Sequence, residues 1–354
     1  MNASDSSAAS SGARPGAGPQ PGQPDPAEIF DTINAHQRSA ALRGAIELEL
    51  FTAIAEGANT SGAIAARCDA SERGVRILSD YLTVIGFLTK QDGHYGLPIN
   101  SAAFLDKNSP AYMGSAVGFM NSPDLLNAFG NVADLVRRGT TLLGPGGTVE
   151  SEYDGWVEFA RSMAPMMAPA SEFIGELAVN GGPEHPRILD IAAGHGLFGI
   201  SAARHNPGAR IVALDWEKVL AVARENAEAA GVIGRYEFLP GDALTIDYGQ
   251  GFDAVLVTNF FHHFDRPACE SLMRKIHACL NDGGRVVTLE FIPNEDRVSP
   301  PVSATFSMMM LGTTPSGDAY TFAEYDKMFQ AAGFARNEFL DVPRSPQQAV
   351  VSYR

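Results

Sequence analysis

Cysteine, long apolar runs and surplus positive charge are all scarce in this sequence of 354 residues. Its three cysteines, Cys68, Cys269 and Cys279, form an odd number with no paired spacing, so neither a disulfide framework nor a zinc knuckle is implied and a reducing cytoplasm is expected. No stretch is long and apolar enough to predict a membrane span. The formal net charge of −15 disfavours nucleic acid and anionic membrane surfaces as partners.

Large apolar side chains are also missing from the amino-terminal segment after Met1. Its residues, 1–26, are almost wholly Ser, Ala, Gly, Pro and Gln. Such a segment cannot offset its ordering entropy by burial, which predicts a disordered tail. It also lacks the apolar stretch of a secretory signal.

Residues 27–110 carry the pattern of a winged helix. Apolar residues first recur at helical spacing, and two further helical segments, SGAIAARC and SERGVRILSDYLTVIGFL, follow them. Ser71 is placed to cap the second of these, and Asp92-Gly93 predicts a tight hairpin turn in LTKQDGHYGLP. Helix, turn, helix and hairpin in this order are typical of winged-helix domains, many of which bind DNA.

The charges of this region argue against a DNA-binding regulator, the rival class of function. Between Asn59 and Lys107 there are five positive and five negative side chains, which leaves no basic footprint. The expected recognition helix carries Leu, Val, Ile and Phe instead of several Arg, Asn or Gln for base edges. We therefore expect the winged helix to act as a packing or dimerisation module.

Residues 111–180 are predicted to be a helical connector, rich in Met and aromatic side chains. Met packs irregular gaps, so this composition is consistent with the filling of a core. It is also consistent with a pocket for a flat apolar ligand, which would place Trp156, Phe159 and Met163 against that ligand.

Residues 181–354 change to an alternation of strands and helices. Short apolar, β-rich runs alternate with helical segments, which predicts an α/β domain with a mostly parallel, Rossmann-like sheet and helices on both faces. Two closing strands with a short connection predict an antiparallel hairpin at one sheet edge. The runs are RILDIA, RIVALD, RYEFLPGD, FDAVLVTN, RVVTLEFI, NEFLDV and AVVSYR.

The first strand of this region leads into a glycine-rich turn, ILDIAAGHGLFG. Gly194, Gly196 and Gly199 spell G-x-G-x-x-G, which leaves a dinucleotide-binding turn open as a competitor. Asp190 argues against it, because a carboxylate at the strand end would repel a diphosphate and attract a cation such as the amino group of an amino acid.

Two more acids end the next two strands. Asp215 in VALDW can accept both hydroxyls of a ribose, and Asp242 in PGDA can accept from an adenine amine, although a turn or helix cap would also account for Asp242. The three acids meet at the carboxyl edge of the sheet, where open α/β sheets bind ligands. They predict a ligand with an amine, a ribose and a base but no phosphate, and S-adenosylmethionine (SAM) fits that description.

These motifs together, LDIAAGHG, ALDW, GDA and the strand before FFHHF, resemble those of the class I SAM-dependent methyltransferases. With the winged helix and the connector, the chain from about Pro26 onward resembles the small-molecule O-methyltransferases, which include plant caffeic acid and isoflavone enzymes and bacterial natural-product enzymes. The resemblance implies a homodimer formed through the N-terminal domain, which also helps to close the partner's pocket.

The resemblance also assigns cofactor-binding residues. Ala192 replaces the first glycine of the family's usual D-x-G-x-G-x-G turn, at some steric cost. Asn259 falls where plant members usually carry a Lys. The residues implied for SAM are Asp190, Gly194, Gly196, Asp215, Trp216, Gly241, Asp242, Ala243 and Asn259.

Two adjacent histidines, His262 and His263, follow the fourth strand of this domain. A phenol, with a pKa of about 10, needs a base to form phenolate at neutral pH, and His262 aligns with the family's catalytic His. Glu290, at the end of the fifth strand, matches the acid that orients this His. The family's second acid is absent, because Ala319 stands at its position, which leaves the neighbouring Asp318 open as a substitute.

Structural roles compete with catalysis at these histidines. His262 would also serve as a loop residue that bonds the backbone, and His262, His263 and Asp265 together would suit a metal. We disfavour the metal because adjacent histidines point apart in an extended backbone. His263 is expected at a helix start or behind His262, and His195, between the glycines, is expected near the cofactor.

Residues 294–321 form a segment too long for a simple connection, and we expect it to cover the site. Its Phe306, Met309 and Met310 would face the acceptor together with the connector residues, so a flat aromatic or polyketide-like acceptor is predicted. The sequence thus predicts a cytoplasmic, homodimeric SAM-dependent methyltransferase that acts on a hydroxyl. Methylation at carbon or another heteroatom, a winged-helix ligand sensor and an NAD-dependent oxidoreductase are the alternatives.

Overall fold

The computed structural model describes residues 25–151 and 153–354, so the predicted tail lies outside the described residues except for Asp25 and Pro26. The chain divides into two compact units, Met1–Pro98 and Ile99–Arg354. Every helix among the described residues is too short or too polar to cross a membrane.

The first unit has the helices and the hairpin of the predicted winged helix. Ser71 caps the second helix of the motif by accepting a hydrogen bond from the Gly74 N–H at 3.3 Å. Asp92 and Gly93 both have positive φ, 50° and 81°, as a tight hairpin turn requires, which confirms the turn predicted from these two residues. The elements are α1 (Ala27–Ile33), α2 (Ala35–Glu47), α3 (Leu50–Ala55), α4 (Ser61–Arg67), α5 (Glu72–Val84), β1 (Thr89–Gln91) and β2 (His94–Gly96).

The second unit begins with helices and continues with the alternation of strands and helices predicted from the sequence. The leading helices are α6 (Ile99–Phe104), α7 (Ala116–Met120), α8 (Pro123–Ala128), α9 (Val132–Arg138) and α10 (Gly155–Val179). They are followed by β3 (Arg187–Ile191), α11 (Leu197–His205), β4 (Arg210–Asp215), α12 (Glu217–Ala229), β5 (Tyr236–Pro240), β6 (Phe252–Thr258), α13 (Arg266–Cys279), β7 (Leu280–Glu290), α14 (Pro301–Thr313), α15 (Phe322–Ala331), β8 (Arg336–Asp341) and β9 (Gln348–Tyr353).

Seven strands of the second unit form one sheet in the order β5-β4-β3-β6-β7-β9-β8. Strands β3 to β7 run parallel, and β9 is antiparallel to both of its neighbours. The predicted antiparallel hairpin at one edge is therefore confirmed, although its antiparallel strand lies one place in from the edge, which β8 forms. The strand order reverses between β3 and β6, and ligands bind outside the carboxyl ends of the strands at such a point.

The central strands are buried on both faces. Strands β3 and β6 read as nearly unbroken apolar runs, and Leu189 and Leu256 within them are fully buried. One hydrophobic cluster joins the sheet to Phe329 of α15, and a second joins it to Ile174 of α10. Packing on both faces fixes the carboxyl ends of these strands, which carry the loops of the site.

Residues 294–321, predicted to cover the site, contain the helix α14. Carbonyl groups at its carboxyl end have side-chain partners from the connector. Thr141 Oγ1 donates to the Gly312 carbonyl at 2.7 Å, and Thr148 Oγ1 donates to the Thr313 carbonyl at 3.1 Å. Because helix ends need such partners, these hydroxyls attach α14 to the connector.

Candidate active site

The glycine-rich turn after β3 depends on three residues with positive φ. Ala192, Gly194 and Gly196 have φ of 53°, 56° and 74°. Glycine adopts this conformation freely, whereas Ala192 does so at a steric cost. A Cβ on Gly196 would lie 3.1 Å from Ala223 Cβ, so this glycine also allows the turn to approach α12.

His195 supports this turn from within. Its Nδ1 accepts a hydrogen bond from the Leu197 N–H at 3.2 Å, and its carbonyl accepts from Asn226 Nδ2 at 2.8 Å. Burial lowers the pKa of His195 to about 4, so the ring is neutral at physiological pH.

Asp190 is the next-to-last residue of β3 and is fully buried. Its Oδ2 accepts a hydrogen bond from the Gly199 N–H at 3.1 Å, whereas its Oδ1 has no hydrogen-bond partner among the described residues. Burial, with the nearby charge of Asp215, raises the pKa of Asp190 to about 7. An unpaired buried carboxylate oxygen is costly, and a cationic ligand would relieve that cost.

Asp215 is the last residue of β4, and it bonds to the glycine-rich turn, to the start of α12 and to the loop after β5. Its Oδ2 accepts from the Gly194 N–H at 2.8 Å and its Oδ1 from the Trp216 N–H at 2.7 Å, while its carbonyl accepts from the Gly241 N–H at 3.0 Å. Burial raises the pKa of Asp215 to about 6. Each carboxylate oxygen keeps a further lone pair, so both can still accept hydroxyl groups.

Asp242 follows β5 and holds its own loop. Its Oδ1 accepts from the Leu244 N–H at 2.8 Å, and its Oδ2 accepts from the Thr245 hydroxyl at 3.3 Å. This is the turn role that the sequence left open beside adenine binding. The neighbouring Ala243 is buried, and its carbonyl accepts from Lys275 Nζ at 3.0 Å, which fixes the loop next to the end of β4.

His262 and Glu290 form a buried pair beyond β6 and at the end of β7. His262 Nδ1 lies 2.5 Å from Glu290 Oε2, and the Glu290 side chain is fully buried. Glu290 Oε1 accepts hydrogen bonds from the N–H groups of Phe260 and Phe261, both at 2.9 Å. Three hydrogen bonds hold this carboxylate in one orientation. In the tautomer with its proton on Nδ1, the ring donates to this carboxylate and Nε2 is the hydrogen-bond acceptor.

His263 packs beside this pair. Its ring centroid lies 4.3 Å from that of His262 and 5.2 Å from that of Trp156. Burial and the proximity of His262 lower the pKa of His263 well below its ordinary value, so it is neutral at physiological pH. Within the described ranges, no group of three or more His, Cys, Asp or Glu side chains is arranged to hold a metal ion.

The loop after α14 packs against the backbone of the histidines. A Cβ on Gly317 would lie 2.2 Å from the His262 carbonyl oxygen, so only glycine fits there, a requirement that was not predicted. In the same loop Ala319 is fully buried, and Asp318 accepts from the Ala319 N–H at 2.8 Å and from Arg297 at 3.3 Å. Both oxygens of Asp318 are thus engaged by groups other than His262.

Phe306 of α14 lies beside the histidines. Its ring centroid lies 4.8 Å from that of His262. The ring also stacks on the ring of Phe291, with 4.0 Å between the centroids. Met309 is partly exposed on the same helix, whereas Met310 is buried. Among Phe306, Met309 and Met310, which were predicted to face the acceptor, Phe306 contacts the ring of His262.

A second aromatic group lies near the amino terminus of α10. Trp156 and Phe159 contact each other edge to face at 5.6 Å, and Phe119 contacts them at 6.3 and 5.1 Å. Met163, one turn further along α10, is buried. Phe119 belongs to the Met- and aromatic-rich connector but was not among the residues predicted to line the pocket, because its place in this group depends on how α7 packs against α10. Trp156 links the group to His263.

Asn259 follows β6 with a positive φ of 55°. Its Oδ1 accepts a hydrogen bond from Gln347 Nε2, and its Nδ2 lies 3.9 Å from Met167 Sδ on α10. Gln347 lies between β8 and β9 and is buried, with 2% of its surface exposed. Sequence reasoning missed Gln347 because 88 residues separate it from Asn259 and no motif contains it.

Two family models match most of the described chain. Residues 181–335 match the model of the O-methyltransferase domain, and residues 30–107 match that of the O-methyltransferase dimerisation domain.

Individual relatives are similar over nearly the whole chain. A candidate O-methyltransferase of solved structure from Nostoc punctiforme PCC 73102 is 48% identical, with a TM-score of 0.90, and the match covers 94% of this chain and 100% of that one. The 3-hydroxy-5-methyl-1-naphthoate 3-O-methyltransferase of Streptomyces sahachiroi is 27% identical over 90% of this chain and 92% of its own length. The tetracenomycin polyketide synthesis 8-O-methyl transferase of Streptomyces glaucescens is 26% identical over 87% and 91%.

Proposed function

Because the chain belongs to the family of SAM-dependent O-methyltransferases that carry an amino-terminal dimerisation domain, we propose that it methylates a hydroxyl of a small, flat aromatic or polyketide-like metabolite, with His262 as the general base. The observation that carries this proposal is the 2.5 Å contact between His262 Nδ1 and Glu290 Oε2 at the carboxyl edge of the sheet. SAM, the cofactor of this family, supplies a methyl group on a positively charged sulfur that is already activated for transfer. The protein then has to bind, orient and deprotonate the acceptor.

The residues at the ends of β3, β4 and β5 fit SAM. The unpaired Oδ1 of Asp190 suits an ammonium group, and the free lone pairs of Asp215 suit ribose hydroxyls. The raised pKa of Asp190 agrees with this, because a desolvated carboxylate regains its charge when a cation binds next to it. The residues we assign to the cofactor here are Asp190, Gly194, Gly196, Asp215, Trp216, Gly241, Asp242 and Ala243.

His262 takes the acceptor's proton. A phenol has a pKa of about 10 and is scarcely ionised at neutral pH. With Nδ1 bonded to Glu290, Nε2 accepts the proton, and the carboxylate stabilises the imidazolium that forms. A general base of this kind contributes about 10²- to 10⁴-fold to the rate.

Aromatic side chains near the histidines support a flat acceptor. Phe306 contacts the ring of His262, and Trp156 contacts the ring of His263. Such rings favour stacked and edge-to-face contacts with another aromatic system. The printed names of two relatives, for a hydroxynaphthoate and for a polyketide, support the same class. The residues we assign to the acceptor pocket are Trp156, Phe159, Met163, Phe306, Met309 and Met310.

The dimerisation domain supports a homodimer, and we propose that it forms through the first unit. Ile29, Phe30 and Ile33 of α1 are 64%, 59% and 62% exposed, and an apolar group of this kind is typical of a surface that a second copy covers. Sedimentation equilibrium at micromolar concentration should give twice the 37.6 kDa chain mass, and the mass of a single chain would contradict the dimer.

Methyl-labelled SAM tests the reaction. The protein is incubated with it and a panel of hydroxynaphthoates, hydroxyanthraquinones and catechols, and mass spectrometry locates the label. We expect label on oxygen, and a loss of about 100-fold or more for His262→Ala with unchanged affinity for S-adenosylhomocysteine (SAH), the product of SAM. Label on carbon, or near-wild-type turnover by His262→Ala, would contradict the proposal and favour methylation at carbon.

A further inference from the structure

Two side-chain amides meet at the sheet edge next to the pair of His262 and Glu290. Asn259 follows β6, which lies between β3, the strand that leads into the glycine turn, and β7, the strand that ends at Glu290. The Asn259 N–H donates to the Leu289 carbonyl at 2.8 Å, so its backbone is anchored to β7. Asn259 therefore lies between the strand that begins the cofactor turn and the strand that orients the base.

The backbone of Asn259 is held in an unusual conformation. Its φ of 55° is rare for a residue with a Cβ, although Asn tolerates it better than most. Such conformations cluster at functional sites and persist only where the surroundings enforce them. In this chain the turn directs the N–H groups of the next two residues, Phe260 and Phe261, to Glu290 Oε1.

The amide of Asn259 has a defined orientation. Gln347 Nε2 donates to its Oδ1, so its Nδ2 is turned the other way. The contact of that nitrogen is Met167 Sδ at 3.9 Å, and a thioether is a weak acceptor. Met167 lies one turn beyond Met163 on α10, the helix that also carries Trp156. The Nδ2 donor of Asn259 thus faces α10, the helix that carries three of the residues we assign to the acceptor pocket.

We infer that Asn259, positioned by Gln347, donates a hydrogen bond to the acceptor oxygen and selects oxygen over carbon as the methylated atom. The inference rests on the proposed function. A phenolic oxygen carries one hydrogen and two lone pairs. The hydrogen goes to His262 Nε2, one lone pair accepts from Asn259 Nδ2, and the remaining lone pair is left for the methyl group. A ring carbon offers no lone pair to Asn259 and is held less well.

Two variants distinguish the hydrogen-bond donor, the Asn259 amide, from Gln347, the residue that positions it. Asn259→Asp keeps the shape and the bond from Gln347 but places an acceptor where the donor was. Gln347→Met removes the bond that positions the amide. Gln330→Met, at an exposed glutamine on α15, is the matched control. The acceptor is the panel phenol that the wild-type protein methylates fastest. The readouts are kcat/KM for that phenol, the share of label on carbon, and the Kd for SAH by calorimetry.

We expect Asn259→Asp to lower kcat/KM about 10- to 150-fold, the effect of losing a hydrogen bond to a charged group, and Gln347→Met to lower it about 3- to 10-fold. The Kd for SAH should change less than twofold, the label on carbon should rise, and the control should match the wild type. Should Asn259→Asp fail to fold, Gln347→Met decides alone.

Either of two results would overturn the inference. Unchanged kcat/KM in the variants would show that the amide does not act on the acceptor. A loss of SAH affinity equal to the loss of activity would assign Asn259 to the cofactor. Failure of the wild-type protein to methylate any phenol refutes the proposed function and the inference with it, whereas normal wild-type turnover with unaffected variants refutes the inference alone.

Discussion

Replacing Glu290 by Gln tests the proposed base while keeping the shape of the site. The glutamine carbonyl can still accept from the N–H groups of Phe260 and Phe261, which lie 2.9 Å from Oε1. Turning the amide the other way would lose both of these bonds, at about 1–3 kcal/mol for each unsatisfied group. The amide NH2 therefore points at His262 Nδ1 and donates to it. His262 then carries its proton on Nε2 and can no longer accept one from the substrate.

The expected loss follows from this change of tautomer. General-base catalysis contributes about 10²- to 10⁴-fold, so kcat for a phenolic acceptor should fall by that factor, or about 3–5 kcal/mol in the activation free energy. The loss should shrink as the pH approaches the phenol's own pKa of about 10, because phenolate then forms without the base.

Steady-state kinetics of Glu290→Gln between about pH 6 and 10 measures both effects, with SAH affinity by calorimetry as a check on folding. Glu338→Gln, on the edge strand β8, is the control and should be unaffected. A loss of the same size at every pH, or a loss that follows SAH affinity, would refute the orienting role of Glu290.

Three further predictions concern strain, pH and the acceptor. Ala192→Gly should raise the free energy of unfolding by up to about 1 kcal/mol, because glycine adopts a φ of 53° without a Cβ clash, and lower stability in chemical denaturation would contradict this. Folding raises the pKa of Asp190 from 3.8 to about 7, so its contribution to stability is present below its unfolded pKa and is lost as the pH rises through 7. The melting temperature of the cofactor-free protein should therefore fall relative to Asp190→Asn between about pH 5 and 8, and a constant difference would argue against it. Trp156→Ala should raise the KM of the acceptor about two- to tenfold without changing the Kd for SAH, and equal losses in both would place Trp156 elsewhere.

The features that the sequence could predict are those set by patterns within short segments of the chain or by the order of its strands. Alternating apolar runs set the strands, Asp92-Gly93 set the hairpin, and the chain order of parallel strands put His262 and Glu290 at adjacent strand ends. Contacts between distant segments carry no such signal. Gln347 meets Asn259 only because the final hairpin returns beside β7. The direction of Asp318 is set in the same way, by a guanidinium 21 residues away in sequence.

The buried alanine at position 319 affects the net charge of the proposed catalytic site after His262 has taken up a proton. In the proposed mechanism Glu290 is negative and His262 is neutral before transfer, so the pair carries one negative charge, and the proton that the ring takes from the acceptor brings the net charge of the pair to zero. Both side chains are at most 5% exposed and Ala319 is fully buried, so an acid at position 319 would place a further negative charge in buried surroundings. With a single acid, the proton-loaded state is electrically neutral. The energetically unfavourable step is then the release of this proton to water, because it restores a net negative charge on the buried pair.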